Sequence, residues 1–130
     1  MPCIGNVPSI VANGSIQWTG ASHAATTIFT PTVTGTYRVS LYLSPEPNGS
    51  YPSGSPSESI TLSWTDPTAA RSITANAYTL DGAGITINST ENLTALDLVL
   101  AATTSAIQVS SAGGSSMVTY DLYYVVEQLA

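Results

Sequence analysis

Apolar and polar side chains alternate with a period of two along much of this chain, and that period predicts strands. Over residues 36–43, Tyr37, Val39, Leu41 and Leu43 share one face, while Thr36, Arg38, Ser40 and Tyr42 take the other. Over residues 59–65, Ile60, Leu62 and Trp64 alternate with Ser59, Thr61, Ser63 and Thr65. Both read as strands with one buried face. From Arg71 to Leu80, Ile73, Ala75 and Ala77 share a face, but Tyr78 and Leu80 fall on the other. That slip predicts a bulge or a strand end near Ala77. Short strands are expected around residues 85–88 and 105–109. Leu96, Leu98 and Leu100 alternate with Asp97 and Val99 in a further strand, although Leu and Ala also suit a short helix there.

The run from Met117 to Leu129 differs, being apolar or aromatic on both sides. Val118, Tyr120, Leu122, Tyr124 and Val126 lie on one face; Met117, Tyr123, Val125 and Leu129 lie on the other. Such a strand is either central in its sheet or has its second face covered by another subunit. Turn signals separate the runs: Asn13-Gly14, Thr34-Gly35, Asp66-Pro67, Asp81-Gly82 and Gly113-Gly114. About eight short strands with no convincing helix predict an all-β fold, an antiparallel sandwich of jelly-roll type. The expected organisation is an N-terminal arm over residues 1–15 and a single sandwich over 16–130. Residues 44–57 hold four prolines and two glycines and read as a long loop. Tyr51 in that loop is a candidate ligand contact, with a solvated tip as the equal alternative.

Charge narrows the classes of partner. The chain has two cations, Arg38 and Arg71, against eight acids, a net charge of −6. Two cations cannot make the phosphate contacts of nucleic-acid binding, nor dock to anionic membranes. Only 8% of residues are charged, about a third of the usual share. Cys3 is the single cysteine, so no internal disulfide forms; it is either an inert terminal thiol or a link between two chains. The first residues carry no basic region and no apolar stretch of signal-peptide type. No stretch approaches the length of a membrane span.

Candidate chemistry is sparse. His23 is the only histidine, and its Ser/Thr/Ala surroundings suggest a surface or loop position rather than a base beside a nucleophile. The acids are scattered, without a distinctive pair for glycoside chemistry; Asp97 and Asp121 fall inside strands and are expected to pair with an arginine or face water. One His and one Cys cannot build a zinc site, and no phosphate or dinucleotide loop is present. No catalytic, metal or cofactor residue is therefore named, and the expectation is a protein that is not an enzyme. The Asn-x-Ser/Thr triplets at Asn13, Asn48, Asn88 and Asn92 follow from a Ser/Thr-rich composition. Trp18, sharing a face with Ile16, and Trp64 are expected in the core. Arg38 and Tyr42 stand on one outward strand face, a composition found at interface cores. With Tyr123 and Val125 of the two-sided strand they form the candidate subunit interface.

Several stretches resemble a known family. Ala25-Thr26-Thr27-Ile28-Phe29-Thr30-Pro31 with Gly35-Thr36-Tyr37-Arg38-Val39-Ser40-Leu41-Tyr42-Leu43 resembles the opening of small β-sandwich modules in tailed-bacteriophage structural proteins. Ile60-Thr61-Leu62-Ser63-Trp64-Thr65-Asp66, followed by Ala70-Arg71, is similar to a strand and turn of those modules. The closing run Tyr120 to Leu129 is similar to their last strand. More distantly, the pattern is similar to the trimeric jelly rolls of the complement-globular-head and tumour-necrosis-factor type. The resemblance covers about a third of the chain and implies a non-catalytic virion protein: a capsid decoration, head-fibre or tail accessory component. It implies a homotrimer that contacts a major capsid or tail protein, made in the host cytoplasm and located in the virion. The alternative is a carbohydrate-binding module or host adhesin, with Tyr51, Tyr42 or Trp18 stacking on a glycan.

Overall fold

The computed structural model describes residues 7–19, 22–45, 57–79, 94–113 and 119–130. They form eight strands: β1 (Ser9–Thr19), β2 (His23–Phe29), β3 (Gly35–Pro45), β4 (Ser57–Thr65), β5 (Ala70–Thr79), β6 (Thr94–Ala102), β7 (Ile107–Gly113) and β8 (Thr119–Gln128). One sheet has the order β1-β8-β3-β6 and the other β2-β7-β4-β5, all pairs antiparallel. No helix occurs among the described residues.

The pairings nest. First strand meets last, second meets seventh, third meets sixth and fourth meets fifth. A single long hairpin rolled across two sheets gives that order, and the β3–β8 and β4–β7 ladders close the roll. This is the jelly-roll sandwich expected from the alternation.

The apolar sets of the inner strands β3, β4, β7 and β8 face the other sheet. Tyr37, Val39, Leu41 and Leu43 of β3 pack with Ile60 and Leu62 of β4, Ile107 and Val109 of β7, and Tyr120, Leu122 and Val126 of β8. Trp18 and Ile28 close one side, Leu100 and Ala102 another. Trp64, expected inside, is only half-buried and packs against the core margin. Its strand ends one residue later at an Asp-Pro turn.

β1 starts at Ser9, inside the stretch read above as an arm. Residues 9–15 pair with β8, so they belong to the ladder. Weak local propensity in Ala12-Asn13-Gly14-Ser15 is overridden by a central partner strand. The slip near Ala77 corresponds to a register shift: Glu58 pairs with Tyr78 and Ser59 with Asn76. β1 and β2 also carry shifts, so three strands at sheet margins are bulged, a device that disfavours edge-to-edge pairing.

β8 is central in its sheet, yet only one of its faces meets the core; the other, with Tyr123 exposed, is left uncovered among the described residues. The chain after β8 continues alongside β3. Thr36 N–H donates to the Ala130 oxygen at 2.9 Å, and Leu129 N–H donates to the Thr36 oxygen at 2.8 Å. Gly35 permits that approach, because a Cβ there would collide with the Ala130 backbone oxygen. Cys3, Tyr51, Met117, the Asp81-Gly82 turn, the strand expected at 85–88 and most of the proline-rich loop lie outside the described residues.

Candidate functional site: the outer face of the first sheet

Strand alternation leaves every second residue of β1, β8, β3 and β6 on the face away from the core. The registers arrange these into rows across the strands. One row is Ser15–Tyr123–Tyr42, the next Asn13–Val125–Ser40–Asp97, and the third Ile10–Glu127–Arg38–Val99. Arg38 and Tyr42 of β3 and Tyr123 and Val125 of β8, singled out in the sequence, thus share one surface. Tyr42 and Tyr123 stand opposite each other and stack, with ring centroids 5.0 Å apart and planes 20° apart. Cross-strand aromatic pairs contribute about 0.2–1 kcal/mol. Even stacked, the two rings stay 41% and 39% exposed, so their pairing leaves apolar surface in water.

Beside this ridge runs a groove with a volume of about 720 Å³. It is lined by Asn13, Gly14, Ser15, Ser40, Leu41, Tyr42, Leu96, Asp97, Tyr123, Tyr124 and Val125, all from the first sheet. No residue of the second sheet reaches it, so it lies on the outer face. Short side chains at Ser15 and Ser40 keep it open. At its β6 end Asp97 accepts a hydrogen bond from Ser40 Oγ at 3.4 Å and pairs with Arg38 Nε at 3.6 Å. Both charged side chains are largely solvated, so the pair contributes at most about 1 kcal/mol; its effect is to neutralise that end of the groove.

His23 differs from expectation. It lies in β2, half-buried, with its ring parallel to Trp18 at 5.0 Å and edge-on to Tyr120 at 6.1 Å. Nε2 is buried without a hydrogen-bond partner. Neighbouring Ser111 and Tyr120 share a hydrogen bond between their hydroxyl oxygens at 3.2 Å. Trp18 draws the histidine inward, because a planar imidazole covers the indole face that β1 presents. Trp18 is buried, so it offers no face to a sugar.

At the β4–β5 turn Asp66 accepts hydrogen bonds from Thr68 Oγ1, Arg71 Nε and the backbone N–H groups of Thr68 and Ala69. These donors, the Thr68 hydroxyl first and Arg71 second, hold its carboxyl well below the usual range. The cluster is a turn clamp. Among the described residues no group of three or more His, Cys, Asp or Glu is placed to hold a metal ion. No described helix is long and apolar enough to cross a membrane.

The sequence missed Asn13, Ser15, Ser40 and Asp97 as groove residues. Their side chains are ordinary for outward positions, and only the cross-strand register brings them together.

The fold and this face define a jelly-roll β-sandwich with an aromatic ridge and groove on one sheet. No family model matches the chain, and no curated protein matches it. Among solved structures, a chain of infectious bursal disease virus, Gx strain, is similar at 13% identity and a TM-score of 0.48, over 95% of this chain and 33% of its own length. A Bacillus endospore appendage protein, from a family of disulfide-linked pili, is similar at 16% identity and 0.39, over 99% of this chain and 96% of its own. A Clostridium thermocellum xylanase 10B chain with CBM22-1 and GH10 modules, complexed with xylohexaose, is similar at 12% and 0.36, over 92% and 24%. This chain therefore spans a third of the virus protein.

Proposed function

We propose that this chain is a non-catalytic structural domain of a virion surface, assembling with copies of itself through the outer face of the β1-β8-β3-β6 sheet. The observation that carries the reading is the Tyr42–Tyr123 ridge, exposed at the middle of a sheet whose other side is the core. Exposed tyrosines with an arginine on the same face belong to the residue types enriched at interface centres. The virion part rests on the resemblance of the β3, β4 and β8 sequences to bacteriophage modules, which also implies three copies and contacts with a capsid or tail protein. The non-catalytic part is supported by the only histidine being packed against Trp18 and Tyr120. Size-exclusion chromatography with light scattering at micromolar concentration tests the assembly: an oligomer is expected, and a monomer refutes it.

A second reading, a module binding neutral glycans, is favoured by the groove, where Asn13, Ser15, Ser40 and Asp97 offer hydrogen bonds beside aromatic rings. Against it, the tyrosines turn their faces to each other, not side by side to solvent. Titration with a panel of neutral oligosaccharides separates the two: saturable binding abolished by Tyr42→Ala favours the module.

A further inference from the structure

Ridge and groove lie side by side on one surface, and this decides what fits there. The ridge is two rings wide, Tyr42 and Tyr123. The groove beside it runs over Ser40 and Val125. A half-turn about an axis between them lays one copy's ridge into the other's groove, and the reverse contact forms by symmetry. A surface that carries both halves of its own complement suits an isologous pair.

We propose that the occupant of this groove is a second copy of the same chain, held by reciprocal insertion of the tyrosine pair. This rests on the assembly reading above and makes it specific: the contact is two-fold, so the unit is a dimer rather than the trimer implied by the resemblance.

Charge supports the same occupant. The chain carries −6 overall, yet the two rows that form ridge and groove hold one ionisable carboxylate, Asp97, already offset by Arg38. A cationic partner finds no acidic patch there, and an anionic one finds a single, occupied arginine. Two copies meet with little repulsion at the centre. Asp121, outward on β8 beyond the two rows, puts a like charge at the rim, while Glu127 stands cross-strand from Arg38 in the third row. Size fits a weak pair. Four strands about 4.8 Å apart and three outward rows about 7 Å apart give a patch of roughly 400 Å² per copy. That is about half the usual area per partner in a stable complex, so association in the micromolar range is expected.

Sedimentation and light scattering of the whole chain across micromolar concentrations test this. The wild type is expected at twice the monomer mass. Tyr123→Ser removes half the ridge and Ser40→Trp fills the groove. Each change is felt twice in a two-fold contact, so each is expected to weaken association roughly a hundredfold. Ile73→Ser, on the second sheet, leaves the dimer intact. Raising salt from about 0.1 to about 1 M shortens the screening length from about 10 to about 3 Å and should tighten the pair, because only rim repulsion is screened. Circular-dichroism melts check that each variant folds; Ser15→Trp replaces Ser40→Trp if that variant does not. A trimer that the ridge change still weakens overturns this inference and leaves the assembly reading standing, whereas an oligomer indifferent to both ridge and groove changes overturns the reading of this face as well. A monomeric wild type overturns both.

Discussion

Tyr37 offers a test of the core in which one atom is removed. Its ring is buried to 1% exposure against Phe29, centroids 5.9 Å apart, and its hydroxyl donates to the Val33 backbone oxygen at 2.8 Å. Tyr37→Phe keeps the ring and deletes the donor, leaving a partly buried carbonyl unpaired. Such losses cost about 0.5–1.5 kcal/mol. At about 2.1 cal/mol/K per residue, 130 residues give an unfolding entropy of about 0.27 kcal/mol/K, so Tm should fall by about 2–6 °C. Alkaline pH supplies a second readout. Burial raises the Tyr37 hydroxyl above its ordinary value of 10.0. The unfolded tyrosine ionises near 10 while the folded one holds its proton, so unfolding releases a proton. Stability from this group is complete below pH 10 and is lost as pH climbs toward the folded value, at up to about 1.4 kcal/mol per pH unit. Phenylalanine lacks that slope, so the gap between wild type and variant should narrow above pH 10. Thermal melts by circular dichroism from neutral to alkaline pH measure both effects. An unchanged neutral Tm, or a gap of constant size above pH 10, would refute the reasoning.

Three further outcomes are expected. Leu62→Ala empties a fully buried site in β4 and should cost about 2–5 kcal/mol, lowering Tm by about 7–19 °C in the same melt; a loss below 3 °C contradicts the burial. His23→Phe keeps the stack on Trp18 and removes the unpartnered Nε2, so stability should rise by about 1 kcal/mol, read as a higher denaturant midpoint. Asp66→Asn probes acid. The native carboxyl is held below its ordinary value by Thr68, Arg71 and the Thr68 and Ala69 amides. It therefore stabilises above about pH 4 and loses that contribution as pH falls through its lowered value. The wild-type melt should drop more steeply below pH 4 than that of the variant; parallel curves would count against the clamp.

Most of the sandwich was legible because its inner strands keep strict register with the core. β3 and β4 alternate without a break, since each lies between two partners and cannot slip without moving leucines into water. The disturbance near Ala77 was visible as a change of face, because a bulge reverses the side on which later residues point. β2 was not visible as a strand. His23, Ala24, Ala25, Thr26 and Thr27 carry little apolar contrast, and the strand exists because β7 pairs with it and Trp18 stacks on its first residue. The same tertiary contact moved His23 from a presumed surface position into the sandwich. Arg38, Tyr42, Tyr123 and Val125 were identifiable as outward residues of rich composition, but that Tyr42 faces Tyr123 depends on a register between strands about eighty positions apart. No local pattern encodes a groove whose walls come from four strands.

The nested pairing of first strand with last sets the order of events during synthesis. Trp18 pairs with Tyr120, about a hundred residues later. At 5–20 residues per second, β1 waits on the order of 5–20 s for its neighbour to emerge. Through that interval Trp18 lacks its native cover, and only polar neighbours such as Asn13, Ser15 and Gln17 deter stray pairing. A roll of this kind completes its first sheet only when the final strand arrives. Its contacts are long-range, so folding falls in the slow millisecond-to-second class. Early truncation yields an unclosed sheet with exposed edges and not a smaller stable domain.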